Sequence, residues 1–142
     1  QDASISSAYI AAFNQYARET LHYGAGTEYK ISARIHDWDW SHTPPGAYRS
    51  IKTLPNVMPD MATTMKQNPD LKVMLNGGYY DVVTPYYEGW YEMHHLQIPR
   101  KLAGNIEYHY YESGHMVYAH VPALQQLHDN VAAFIRKTSG GS

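Results

Sequence analysis

Three observations predict an α/β fold with parallel strands for this chain. A dense apolar run, "LKVMLNGG" over 71–78, reads as a strand buried on both faces. A second, ring-rich run, "IEYHYYES" over 106–113, reads as another strand. Amphipathic helical patterns precede, separate and follow the two, giving the order helix, strand, helix, strand, helix. Two parallel strands are too few to stand alone, because such a sheet is covered on both faces and normally carries about 4–6 strands. The expected sheet is therefore the end of a larger one, continued by a segment outside this sequence.

Each element has a local cause. Over 4–22, Ile5, Tyr9, Ala12, Phe13, Tyr16 and Thr20 recur at helical spacing, Ser4 is available as a cap, and the pattern stops near "YGAG". A short strand-like piece, "EYKISARI", follows at 28–35, and then "HDWDWSHTPPGAYRS", where Pro44, Pro45 and Gly46 forbid regular structure. After Asn56, "PDMATTMKQ" places Met58, Met61, Ala62 and Met65 on one helical face, with Pro59 tolerated in the first turn. "TPYYEGWYEMHHL" predicts a helix after Pro85, and "IPRKLAGN" a connection into the second strand. The last helix is expected from about Pro122 to Arg136, with Leu124, Leu127, His128, Val131, Ala132 and Ile135 inward and basic residues near its C-terminus.

Composition narrows the function classes. The 142 residues carry 11 basic and 13 acidic side chains without a run of either sign, so neither nucleic acid nor an anionic membrane surface is an expected partner. No apolar stretch approaches the roughly 20 residues of a membrane span. Cysteine is absent, which excludes disulfides, thiolate metal sites and cysteine nucleophiles. Fourteen tyrosines and three tryptophans against two phenylalanines favour rings with one edge packed and the other wet, as in a lined cleft or an interface.

Ligands of open parallel sheets bind beyond the carboxyl ends of the strands. Asp81 follows the first strand after Gly77 and Gly78, and His115 follows the second after Gly114, the glycines being expected to supply tight turns. An aspartate that accepts the Nδ1 proton of a histidine fixes its tautomer and leaves Nε2 free to take a proton from a nucleophile. Taken alone, an aspartate before Thr-Pro is a common turn former and a histidine after glycine a common loop residue. Their order after successive strands favours an acid and base pair.

The segments "NGGYYDVVTP" and "SGHMVYAHVP" resemble the C-terminal part of the serine carboxypeptidases, peptidase family S10, whose fold is the α/β-hydrolase sheet. The family's acid sits in a glycine-x-x-aspartate element, matched by Gly78 to Asp81, and its base in a glycine-histidine-methionine element, matched by Gly114, His115 and Met116. Tyr118 replaces the family's usual proline two residues after the methionine, while Pro122 matches a later one. The resemblance is strongest from Met58 to Arg136. It implies release of a C-terminal residue from peptides through an acyl-enzyme on serine, in a secreted, periplasmic or lysosome-like setting, with no cofactor and no metal. It further implies Asp81 and His115 as catalytic residues, Met116 at the leaving-group side of the pocket, and Tyr80 and Tyr118 as further substrate contacts. On the same resemblance, 1–55 ends a cap region, 56–137 completes the hydrolase core and 138–142 is a flexible tail or linker remnant.

One component is missing. G-x-S-x-G does not occur, since Ser32, Ser41, Ser50 and Ser113 lack the flanking glycines, and in this fold the nucleophile precedes acid and base. The expected partner is an upstream chain of the same precursor that carries the serine and the oxyanion hole. This chain alone is expected to be inactive. Another hydrolase of the same fold, such as an esterase, or a lyase that reuses the triad, remains open. Outside enzymes the alternative is an aromatic-lined binding fragment, with the rings of 79–91 stacking on sugars. His36, Asp37, Asp39 and His42 could bind zinc, but they lack helical i, i+4 spacing and are read as structural or cleft-lining. His94 and His95, adjacent on a helix, cannot easily share one ion.

Overall fold

The computed structural model describes residues 2–26, 38–52 and 55–140. The strand expected at 28–35, and His36 and Asp37, lie outside the described residues. The chain divides into two compact units, Gln1–Asp39 and Trp40–Ser142.

In the first unit α1 spans Asp2–Gln15 and continues as a π-helical turn, Tyr16–Thr20. The helix starts upstream of Ser4, so that residue is not its cap. Its end is made by His22, whose φ of 51° is left-handed, and by the Tyr23 N–H, which donates to the Ala17 carbonyl at 2.9 Å. A left-handed residue after the last turn is the common way to recover orphan carbonyls. Tyr9 and Phe13, both expected on the apolar face, stay 47% exposed.

The second unit is a small α/β layer structure. Its elements are α2 (Met58–Gln67), β1 (Val73–Gly78), α3 (Tyr86–His94), β2 (Ile106–Tyr111) and α4 (Val121–Ser139). A 3-10 turn, Arg100–Asn105, leads into β2, and a shorter one, Val117–Ala119, leads into α4. The two strands pair in parallel with Val73 opposite Ile106 and Gly78 opposite Tyr111. The fold is therefore of the mixed, parallel-strand kind, with a sheet of two strands among the described residues.

Side chains alternate across a strand, so the register assigns two faces. Ile106 and Tyr108 pack with Ala62, Met65 and Leu96, joined by Met58, Met61, Val73 and Met93, on the side of α2 and α3. Tyr111 packs on the opposite side with Val117, Ala123 and Leu127. The methionine face of α2 is the one the spacing predicts: Met65 is 1% exposed and Ala62 2%. Asn56 Oδ1 accepts the Met58 N–H at 3.0 Å, which satisfies one orphan donor of the helix start.

Two expectations shift. The inward face of α4 is built on Ala123 and Leu127, with Asn130 and Val131 half-buried, while Leu124 and Ile135 are exposed and His128 pairs with Asp129 at the surface. The cause is Tyr111, whose hydroxyl donates to Asn76 Oδ1 at 2.9 Å and accepts from Asn130 Nδ2 at 3.2 Å, so α4 turns the side bearing Asn130 to the sheet. The helix also runs on through Ser139, with the Thr138 hydroxyl donating to the Phe134 carbonyl at 2.8 Å, so part of the expected tail is helical.

Gly78 is buried where the segments that follow β1 and β2 meet. A Cβ placed there would collide with the carbonyl oxygens of Ser113 and Gly114, both backbone atoms. At Gly77 a Cβ would make an ordinary contact, 3.5 Å from the Tyr110 ring. Neither glycine, nor Gly114, has a left-handed φ, so Gly78 is required by close approach rather than by a turn. Gly78→Ala is expected to destabilise the protein by about 1–3 kcal/mol or more, the cost of overpacking against atoms that cannot rotate away. Gly77→Ala should be neutral or mildly stabilising, through lower entropy of the unfolded chain. Urea unfolding of the two variants checks the difference.

Candidate functional site

Asp81 and His115 meet beyond the carboxyl ends of adjacent strands. After β1 the chain turns back, with the Asp81 N–H donating to the Gly78 carbonyl at 3.2 Å. The Tyr79 N–H donates to the Tyr111 carbonyl at 2.9 Å and the Tyr80 N–H to the Ser113 carbonyl at 3.0 Å, which extends strand-like pairing past the ends of the ladder. His115 stands two residues beyond the second of these bonds, and its Nδ1 lies 3.0 Å from Asp81 Oδ2.

The carboxylate divides its two oxygens between two tasks. Oδ1 accepts the backbone N–H groups of Val83 at 2.8 Å and Thr84 at 3.0 Å, a turn-forming arrangement that leads into α3. Oδ2 accepts the Thr84 hydroxyl at 2.8 Å and faces the histidine. The turn-forming bonds and the histidine contact of Asp81 thus fall on different oxygens. Its side chain is 5% exposed, whereas that of His115 is 56% exposed. An acceptor-only carboxylate beside Nδ1 favours the proton there, which gives the neutral ring N–H at Nδ1 and a lone pair at Nε2. Among the described residues Nε2 has no hydrogen-bond partner.

Electrostatics favour the ionised acid. Burial pushes the Asp81 carboxyl up, but the combined pull of the Thr84 N–H, the His115 ring, the Thr84 hydroxyl and the Val83 N–H holds it well below the usual carboxylate range.

A cleft of about 420 Å³ opens at the pair, lined by Asp81, Thr84 and His115 with Asn76, Tyr86, Glu88 and Tyr110 among its walls. Tyr79, Tyr86 and Tyr110 form a ring cluster with centroids 5.2 to 5.8 Å apart. Burial, then the neighbouring phenols, push the Tyr110 hydroxyl up, and it has no hydrogen-bond partner among the described residues. Met116, Tyr80 and Tyr118 lie outside this lining: Met116 is half-buried, while Tyr80 is 66% and Tyr118 52% exposed. Thr84, Asn76, Glu88 and Tyr110 carry no site expectation from the sequence, and Tyr86 carries one only among the rings of 79–91. Only Thr84 had a local signal, the Asp-x-x-Thr spacing before Pro85.

Three other histidines make local structural contacts. His42 Nε2 lies 2.8 Å from Asp60 Oδ2, and its backbone bridges to Ile51. His94 and His95 each place Nδ1 against the carbonyl four residues earlier, those of Trp90 and Tyr91, and each ring stacks on that same residue's ring at 4.0 and 3.9 Å. They close the last turn of α3, so two adjacent histidines are tied separately rather than sharing an ion. No group of three metal-ligating side chains occurs among the described residues, and no helix there is long and apolar enough to cross a membrane. Comparison with protein-family models, with curated proteins and with solved structures returns no match.

A depressed carboxyl pKa links to stability with a definite sign. As pH falls through about 4, the unfolded chain takes a proton at Asp81 while the folded chain still resists, so acid favours unfolding. The stabilisation is fully present above that pH and is lost toward the lower, folded value. Asp81→Asn lacks it, and the variant should lose less stability than the parent between pH 5 and pH 2.5 in urea titrations, by the part of this group's contribution that falls in that window.

Proposed function

We propose that the chain supplies the acid and base of a hydrolase that works through a serine nucleophile carried by a partner segment. Within that class the reading best supported is a serine carboxypeptidase with the α/β-hydrolase fold, in which an upstream chain provides the serine, the oxyanion hole and the rest of the sheet. The observation that carries it is the 3.0 Å Nδ1 to Oδ2 contact between an exposed histidine and a buried carboxylate at the carboxyl ends of adjacent parallel strands. Support also comes from the free Nε2 at a cleft, and from the elements "GYYD" and "GHM" that hold the two residues.

The chemistry follows from the tautomer. His115 Nε2 takes the proton of the serine hydroxyl as the oxygen attacks the scissile carbonyl, and the imidazolium that forms keeps its Nδ1 proton directed at Asp81. The same Nε2 proton then passes to the leaving amine. Water repeats the cycle on the acyl-enzyme, again deprotonated by Nε2. Asp81 remains ionised throughout, since its hydrogen bonds hold it well below the usual carboxylate range, with burial opposing them.

In the protein assembled with its upstream chain, His115→Ala should reduce kcat by roughly 10⁶ and Asp81→Asn by roughly 10⁴, the latter by favouring the wrong ring tautomer. Cleavage of a blocked dipeptide measures both, and full activity in His115→Ala would end the assignment.

A further inference from the structure

Asp81 Oδ2 serves two donors. The Thr84 hydroxyl reaches it at 2.8 Å, the His115 ring at 3.0 Å, and the hydroxyl oxygen itself stands 3.3 Å from Nδ1. Three groups thus form a closed triangle in which the histidine proton meets both the carboxylate and the hydroxyl oxygen. The hydroxyl proton has one use in this geometry, donation to Oδ2, which leaves its lone pairs turned to the ring.

Backbone atoms pin only the other oxygen. Oδ1 is held by two N–H groups, whose bonds set the carboxylate plane but give Oδ2 no backbone donor of its own. The Thr84 hydroxyl is the second anchor, on the atom that matters. His115 cannot serve as that anchor alone, because its side chain is 56% exposed and is the group being positioned.

We infer that Thr84 is a positioning residue for the acid and base pair: its hydroxyl fixes Oδ2 and thereby holds the His115 ring in the tautomer with the proton on Nδ1. This rests on the hydrolase reading for its catalytic consequence, though not for its structural one. The backbone N–H of residue 84 bonds Oδ1 whatever the side chain, so substitution can remove the hydroxyl and keep the turn. Valine matches threonine in shape and branching while lacking the donor. Serine restores the donor.

The test is long-range ¹H–¹⁵N correlation of the histidine ring nitrogens at neutral pH in the parent, Thr84→Val and Thr84→Ser proteins. The parent and Thr84→Ser should show His115 with Nδ1 protonated, and Thr84→Val should show a substantial population with the proton on Nε2, the form free histidine favours. A ring signature in Thr84→Val identical to the parent overturns the inference. Should Thr84→Val fail to fold, a Thr84→Ser spectrum unlike the parent's would overturn it as well, and one matching the parent's would support it. In the assembled protein the same shift predicts a kcat loss of about tenfold to a hundredfold in Thr84→Val with KM little changed, the worth of one hydrogen bond to a charged group, and recovery in Thr84→Ser. A tautomer shift without any turnover in the parent would leave the positioning role standing and remove the hydrolase reading.

Discussion

The backbone of residues 113 and 114 passes so close to Gly78 that no side chain fits between them, and the site depends on that approach. It brings together two segments that follow different strands, and the Tyr80 N–H to Ser113 carbonyl bond locks them. Had the strands diverged at their ends, Asp81 and His115 would sit on separate loops with no reason to meet. Parallel pairing places both strand ends at one edge of the sheet, and the missing Cβ lets the two chains stay adjacent beyond the ladder. The 3.0 Å ring to carboxylate contact is the consequence.

The sheet that carries the pair is itself thin. Helices α2 and α3 lie on one face and α4 on the other, as a parallel sheet requires, yet the described residues supply two strands only. Exposed rings gather around the site and α3, with Tyr80, Tyr87 and Tyr91 all 45% exposed or more. Lys137 of α4 pairs with Glu107, so β2 carries a charged side chain paired to the helix over it, while β1 carries none along its length. Edge strands are commonly protected by charge, and interior strands are not. On the proposed reading, the sheet would be continued by strands of the segment that carries the serine.

Much of this was legible in the chain because the signals were local and periodic. Met58, Met61, Ala62 and Met65 recur at one helical face, and that face is the core of the second unit. The strand order and the two glycine-preceded polar residues followed from similar patterns. What escaped depended on partners distant in sequence. Leu124 and Ile135 look as apolar as Leu127, and the contacts that Ala123, Leu127 and Asn130 make with the Tyr111 side mark which face of α4 turns inward. The glycines near Asp81 suggested turns, whereas Gly78 answers to backbone 35 and 36 residues away, at Ser113 and Gly114. Met116, Tyr80 and Tyr118 are sequence neighbours of the pair, but the cleft is walled by Asn76, Tyr86 and Tyr110, which the fold brings from β1, α3 and β2.

The proposed role of His115 is that its Nε2 activates a serine on another segment. Its most direct test is labelling of the native assembly with a serine-directed phosphonate, followed by mass mapping of the adduct and repetition with His115→Ala. A single adduct is expected on the serine of a G-x-S-x-G element outside this sequence, formed only when His115 is present. An adduct that forms equally in the His115→Ala protein, or no adduct in an assembly that contains both segments, would contradict it.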